Sequence, residues 1–141
     1  MKISKIAILG GGSWGTALAV LLANKKYNIL LWCRRKEQAD NLAGKMENLQ
    51  YLPGVKIPKN VSISNKLNDI SGADMVIISV PCAYFRKVLE DAKPLIKKEA
   101  VIVSASKGFE PKTSKRMSEI IKEVTGSKNI AVISGPNHAE E

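Results

Sequence analysis

The feature that most constrains this chain is a four-residue apolar run, residues 6–9, that stops on Gly10-Gly11-Gly12-Ser13 and resumes as a second apolar run, residues 17–23. Four apolar residues bounded by glycine have the length of a buried strand, whereas beyond the glycines Trp14, Ala17, Leu18, Leu21 and Leu22 fall at i, i+3, i+4, i+7 and i+8, the spacing of a helix stripe. Strand, glycine turn and amphipathic helix in that order predict a sheet with a helix packed on its face. The same break argues against a secretory leader. Lys2 and Lys5 precede the apolar stretch, but each of its two pieces is shorter than a membrane span.

The alternation continues along the chain. Residues 29–33, 61–63, 75–80, 101–104 and 130–133 read as further strands, mostly as continuous apolar runs suited to burial on both faces. Met117, Ile120, Ile121 and Val124 repeat the helical spacing, residues 37–49 form a weaker helix, and residues 51–60, with Pro53, Gly54 and Pro58, read as a loop. The expected architecture is one α/β domain over residues 1–141, doubly wound, with a mainly parallel Rossmann-type sheet and helices on both faces. In such a fold the crossovers wind right-handed and ligands lie at the carboxyl ends of the strands. Those ends carry Gly10 to Gly15, Cys33-Arg34-Arg35, Pro81-Cys82, Ser106-Lys107-Gly108 and Ser134-Gly135-Pro136.

Composition narrows the function classes. At 141 residues and 45% hydrophobic the chain can bury a core without disulfide or metal staples. Its 22 basic and 13 acidic residues leave +9, but the lysines are scattered in short groups with little aromatic interleaving, which favours a small phosphorylated ligand over nucleic acid. Cys33 and Cys82 have neither metal nor redox spacing, and no His, Cys or carboxylate cluster suits a metal. With the first strand between theirs, the two thiols belong to strands about 9 to 10 Å apart and are expected to be free.

Gly10-x-Gly12-x-x-Gly15 matches the dinucleotide fingerprint, in which the first glycine makes the turn, the second admits the pyrophosphate and the third lets helix and strand approach. The helix amino terminus then faces the phosphates. About twenty residues on, where an NAD-selective site usually offers a carboxylate to the ribose, stand Arg34 and Arg35. Guanidinium groups there suit a 2′-phosphate, so NADP(H) is expected over NAD(H), with Glu37 as the competing carboxylate. Lys107 is placed to reach a phosphate or polarise a substrate oxygen. His138, the only histidine, is either an acid/base group or an incidental loop residue.

Taken together, Gly10-Gly-Gly-Ser-Trp-Gly-Thr-Ala-Leu-Ala19, Leu31-Trp32 with Arg34-Arg35, Asn48-Leu-Gln-Tyr-Leu-Pro-Gly54, Val80-Pro81, Ser106-Lys-Gly-Phe-Glu110 and Ser134-Gly-Pro-Asn-His-Ala-Glu-Glu141 resemble the bacterial NAD(P)-dependent glycerol-3-phosphate dehydrogenases over essentially the whole chain. The resemblance implies an oxidoreductase that interconverts dihydroxyacetone phosphate and sn-glycerol 3-phosphate, for phospholipid synthesis in the cytoplasm. It implies that Ser13 and Trp14 contact the pyrophosphate region, Arg34 and Arg35 the adenosine end, Tyr51 the border of that site, and Ala139 the nicotinamide side. Lys107 would touch cofactor and substrate, and Gly135 and Asn137 the substrate.

Three positions depart from the pattern: Asn137 stands for Ser or Thr, Cys82 for Ser, and Lys26 for the glycine that ends the first helix. Lys26 would be strained if the chain turns left-handed there. Members of the resembled family continue into a helical domain that completes the substrate site, dimerises and supplies a general acid/base lysine. The chain is therefore expected to be an amino-terminal cofactor domain, essentially inactive alone. Alternatives are another dehydrogenase of a phosphorylated or hydroxy acid, such as a phosphogluconate or ketopantoate type, and a stand-alone nucleotide-binding sensor.

Overall fold

The structure, a computed structural model, describes residues 2–135, 138 and 139. Strands β1 (Lys5–Leu9), β2 (Asn28–Trp32), β5 (Val61–Ser64), β6 (Met75–Ile78), β7 (Val101–Ser104) and β8 (Ile130–Val132) form one sheet in the order β5-β2-β1-β6-β7-β8. Every pairing in it is parallel. Helices α1 (Ser13–Asn24), α2 (Lys36–Lys45), α3 (Cys82–Ala92) and α4 (Met117–Thr125) connect them. A parallel sheet needs cover on both faces, and two apolar layers supply it. Ile6, Ile8, Ile29, Leu31, Ile77 and Val103 pack with residues of α1 and α2, whereas Ala7, Leu9, Leu30, Val76, Ile78 and Ile102 pack with α3 and α4. The chain order reverses between β1 and β6, which opens the crevice at their carboxyl ends.

Three expectations are corrected. Residues 51–60 are not all loop: β4 (Leu52–Lys56) pairs antiparallel with β3 (Glu47–Asn48) in a small separate sheet. Polar side chains hold it, since Asn48 accepts from the Tyr51 N–H and Glu47 from both the Gly54 N–H and Lys56. Such pairing leaves no apolar alternation to read, and Pro53 is tolerated because the strand has one partner. Secondly, α2 ends at Lys45 because Met46 turns left-handed at φ 46°, short of the expected end at 49. Thirdly, α1 departs from its expected stripe at Leu21. It buries Gly15, Thr16, Leu18, Ala19 and Ala23, while Leu21 is 55% exposed. Trp14, Leu18 and Leu22 of that stripe do pack on the core layer, and the helix lies close enough to the sheet to bury the small residues beside them.

Helix α3 is not among the helices expected from apolar spacing, although Phe85, Val88, Leu89 and Ala92 are all buried on one stripe. The α4 stripe is as expected, with Met117, Ile120 and Ile121 buried and Val124 packed against them. Lys26 is left-handed, at φ 68°, and both cysteines are free thiols.

Candidate functional site

The turn between β1 and α1 is built by contacts that admit nothing larger than glycine at two of its three positions. A Cβ on Gly10, at φ 124°, would lie 2.2 Å from the Ser79 carbonyl oxygen, and one on Gly15 would lie 1.9 Å from the carbonyl oxygen of Gly10. Gly12 differs, since a Cβ there would meet nothing within 4 Å. No neighbour in the fold crowds position 12, which leaves the backbone there open to approach from outside. Gly12 is also the N-cap of α1 and gives the helix no side-chain cap, leaving the first-turn N–H groups directed outward, as anion binding requires.

Two cavities meet at this glycine. One, of about 440 Å³, is lined by Gly10, Gly11 and Gly12, by Arg34, Arg35 and Tyr51, and by Trp32, Gln38, Tyr84 and the end of β6. The second, also about 440 Å³, is lined by Gly12, Ser13, Trp14, Ser106, Lys107, His138 and Ala139. Ser79, Val80 and Pro81 border both. The carboxyl ends of β1, β2, β6 and β7 thus contribute to one continuous crevice. Gly15 serves helix packing instead. Gly135 follows β8, exposed at φ 138°, and Asn137 lies outside the described residues.

Local bonds set these positions. The Trp32 indole donates to the Asn65 carbonyl at 3.1 Å and is 7% exposed, forming a fixed wall. Arg34 is exposed and places its guanidinium carbon 5.4 Å from the centre of the Tyr84 ring, a cation–π arrangement that holds the cation at the rim. Ser106 donates to the Val80 carbonyl at 2.5 Å, which ties the segment before Lys107 to the end of β6. Burial pushes the Cys33 thiol up to about 11, with Arg35 drawing it slightly back. Cys33 therefore remains a neutral wall behind the turn.

Sequence reasoning missed Tyr84, Gln38 and the end of β6 as lining. For Tyr84 a signal existed, because the stripe through Phe85 places it on the helix turn that follows Pro81. Gln38 carried none. Glu37, the competing carboxylate, is exposed in the first turn of α2.

Geometry alone defines a parallel doubly wound domain with a dinucleotide-type glycine turn. Residues 5–141 match the family described as NAD-dependent glycerol-3-phosphate dehydrogenase N-terminus, and the chain belongs to that family. It is 46% identical over 140 residues to a glycerol-3-phosphate dehydrogenase [NAD(P)+] of Chlorobium limicola, covering 96% of this chain and 42% of that one. With the protein of the same name from Syntrophomonas wolfei it shares 41% over 141 residues, 97% of this chain and 41% of the relative. The chain thus spans about two fifths of the length of these relatives. The crystal structure of glycerol-3-phosphate dehydrogenase from Coxiella burnetii superposes with a TM-score of 0.90 at 34% identity, over 98% of this chain and 42% of that one. A ketopantoate reductase from Ralstonia eutropha, at 21% identity and a TM-score of 0.70, shares the fold alone. Among the described residues no helix is long and apolar enough to cross a membrane.

Proposed function

We propose that this chain is the cofactor-binding domain of an NAD(P)-dependent glycerol-3-phosphate dehydrogenase, interconverting dihydroxyacetone phosphate and sn-glycerol 3-phosphate. The observation that carries the reading is Gly12. It is open to solvent at the uncapped start of α1, where the two cavities meet. A dinucleotide laid across it puts its pyrophosphate on Gly12, Ser13 and Trp14, its adenosine end among Arg34, Arg35, Tyr51 and Tyr84, and its nicotinamide toward Lys107 and Ala139. The nicotinamide supplies hydride transfer. The chain's own share is to bind and orient: Lys107, with Gly135 and Asn137, takes the phosphorylated substrate, and proton transfer falls to the remainder of a longer, dimeric, cytoplasmic enzyme of phospholipid synthesis. On this reading the 141-residue chain alone is essentially inactive, and it does not bind nucleic acid.

A preference for NADP(H) is part of the proposal. Two arginines line the adenosine cavity, and the carboxylate nearest in sequence, Glu37, is not among the described residues that border it. Parallel titration of the chain with NADPH, NADH and ATP, followed by the fluorescence of Trp14 and Trp32, tests both parts. Tighter binding of NADPH than NADH supports the whole reading, equal binding removes the preference, and no dinucleotide binding by the folded chain removes the cofactor site.

A further inference from the structure

Asn48 lies outside the main sheet, on β3, yet it is only 3% exposed and uses both of its N–H donors. Its Nδ2 donates to the Gly11 carbonyl at 3.0 Å and to Thr16 Oγ1 at 2.7 Å, while its Oδ1 accepts the Tyr51 N–H at 3.1 Å. The Gly11 carbonyl takes a second side-chain donor, Gln38 Nε2 at 2.7 Å. Two amides carried by α2 and β3 therefore converge on one backbone oxygen in the glycine turn. Asn48 also joins that oxygen to the first turn of α1 and to the segment bearing Tyr51.

We propose that Asn48, assisted by Gln38, is a positioning residue for dinucleotide binding, fixing the plane of the Gly11–Gly12 peptide and holding Tyr51 at the adenosine cavity. The inference rests on the cofactor site proposed above. A trans peptide is planar, with C=O and N–H opposed. Holding the Gly11 oxygen against α2 and β3 accordingly turns the Gly12 N–H away from Asn48 and Gln38, at the residue the two cavities share. Glycine has little conformational preference of its own. Without the two donors this peptide has to be ordered by the ligand, and binding weakens by that ordering cost. The buried Gly11 carbonyl is also left short of partners.

The test is calorimetric titration with NAD+ and NADP+ alongside thermal melts, for Asn48→Ala, Asn48→Asp, Gln38→Ala and Thr16→Val. The Thr16 change removes the bond to α1 but leaves both donors on Gly11, which separates lost stability from lost positioning. Asn48→Ala is expected to raise Kd about tenfold and Gln38→Ala about threefold, while Thr16→Val lowers Tm with less than about a twofold change in Kd. Asn48→Asp sets a carboxylate against the Gly11 carbonyl and binds worst at about pH 8. It recovers toward about pH 5.5, as burial favours the protonated acid and restores an O–H donor, whereas Asn48→Ala does not recover. Lys45 and Glu47, which share a small hollow with Asn48, are common to all the variants.

If Asn48→Ala fails to fold, Gln38→Ala against Thr16→Val decides in the same way. Folded Asn48 and Gln38 variants with unaltered Kd, or a Thr16→Val loss of affinity equal to theirs, overturn the positioning role and leave the cofactor site standing. An unaltered chain that binds neither dinucleotide removes both.

Discussion

Arg86 on α3 grips Glu110 through two parallel hydrogen bonds, Nε to Oε1 at 2.7 Å and Nη2 to Oε2 at 3.0 Å. Glu110 lies three residues beyond Lys107. The segment carrying that lysine is therefore held on both sides, by Ser106 against the end of β6 and by this fork against α3. Arg86 also reaches Glu123 on α4 at 3.1 Å, so one guanidinium joins α3, α4 and the segment between β7 and α4.

The Arg86 bonds, with a further one from Thr113, hold the Glu110 carboxyl down at about 2. A carboxylate depressed by folding stabilises above its unfolded value of about 4.5, and that contribution disappears as pH falls through about 2. Arg86→Ala should remove it and free the loop. The expected outcome is faster cleavage within residues 106–116 by a dilute protease at pH 7, and a weaker decline of Tm between about pH 4.5 and 2 than in the unaltered chain. Arg86→Lys keeps the charge but loses the fork, and should fall between the two.

Gly12→Ala and Gly15→Ala should separate ligand approach from packing. A methyl at 15 meets the Gly10 carbonyl oxygen at 1.9 Å, so the helix must shift and Tm should drop sharply. One at 12 meets nothing in the protein. That variant should melt within a few degrees of the unaltered chain while losing dinucleotide affinity by about tenfold or more, as read by titration.

Lys26→Gly should raise stability. Lys26 is exposed and left-handed at φ 68° where α1 gives way to β2. Relief of that strain outweighs the added freedom of glycine in the unfolded chain, for a net gain of about 0.5–1 kcal/mol. Chemical denaturation should show a higher midpoint with an unchanged slope.

The two thiols should differ in reactivity. Cys33 is fully buried, with burial pushing its thiol up to about 11 from 9.0, whereas Cys82 is half-buried at the first residue of α3. At about pH 7.5 a maleimide should modify Cys82 alone until the chain is denatured. Folding favours the neutral Cys33 thiol, so its contribution to stability is complete below about 9 and is lost as pH rises through about 11.

Much of the fold was legible because burial in a parallel sheet writes itself as runs. Residues 6–9 and 101–103 are apolar throughout, since both faces of their strands meet helices. The glycine turn was legible for a related reason, as its residue types answer to local backbone geometry. The β3–β4 unit was not, because side-chain hydrogen bonds rather than alternating apolar residues hold it. The exposed Leu21 misled because helical spacing reports an apolar face but not how close the sheet will come.

By itself the sequence determined the strands of the main sheet, the glycine turn, the arginine pair at the end of β2 and the position of Lys107 after β7, all set by short stretches of chain acting through period, sterics and charge. Only the tertiary structure decided that Tyr84 stands beside Arg34, 50 positions away, that Arg86 clasps Glu110, and that Asn48 and Gln38 meet on the Gly11 carbonyl. Those relations depend on which elements the fold brings side by side. A hydrogen bond is satisfied by geometry in space, and no periodicity along the chain encodes its partner.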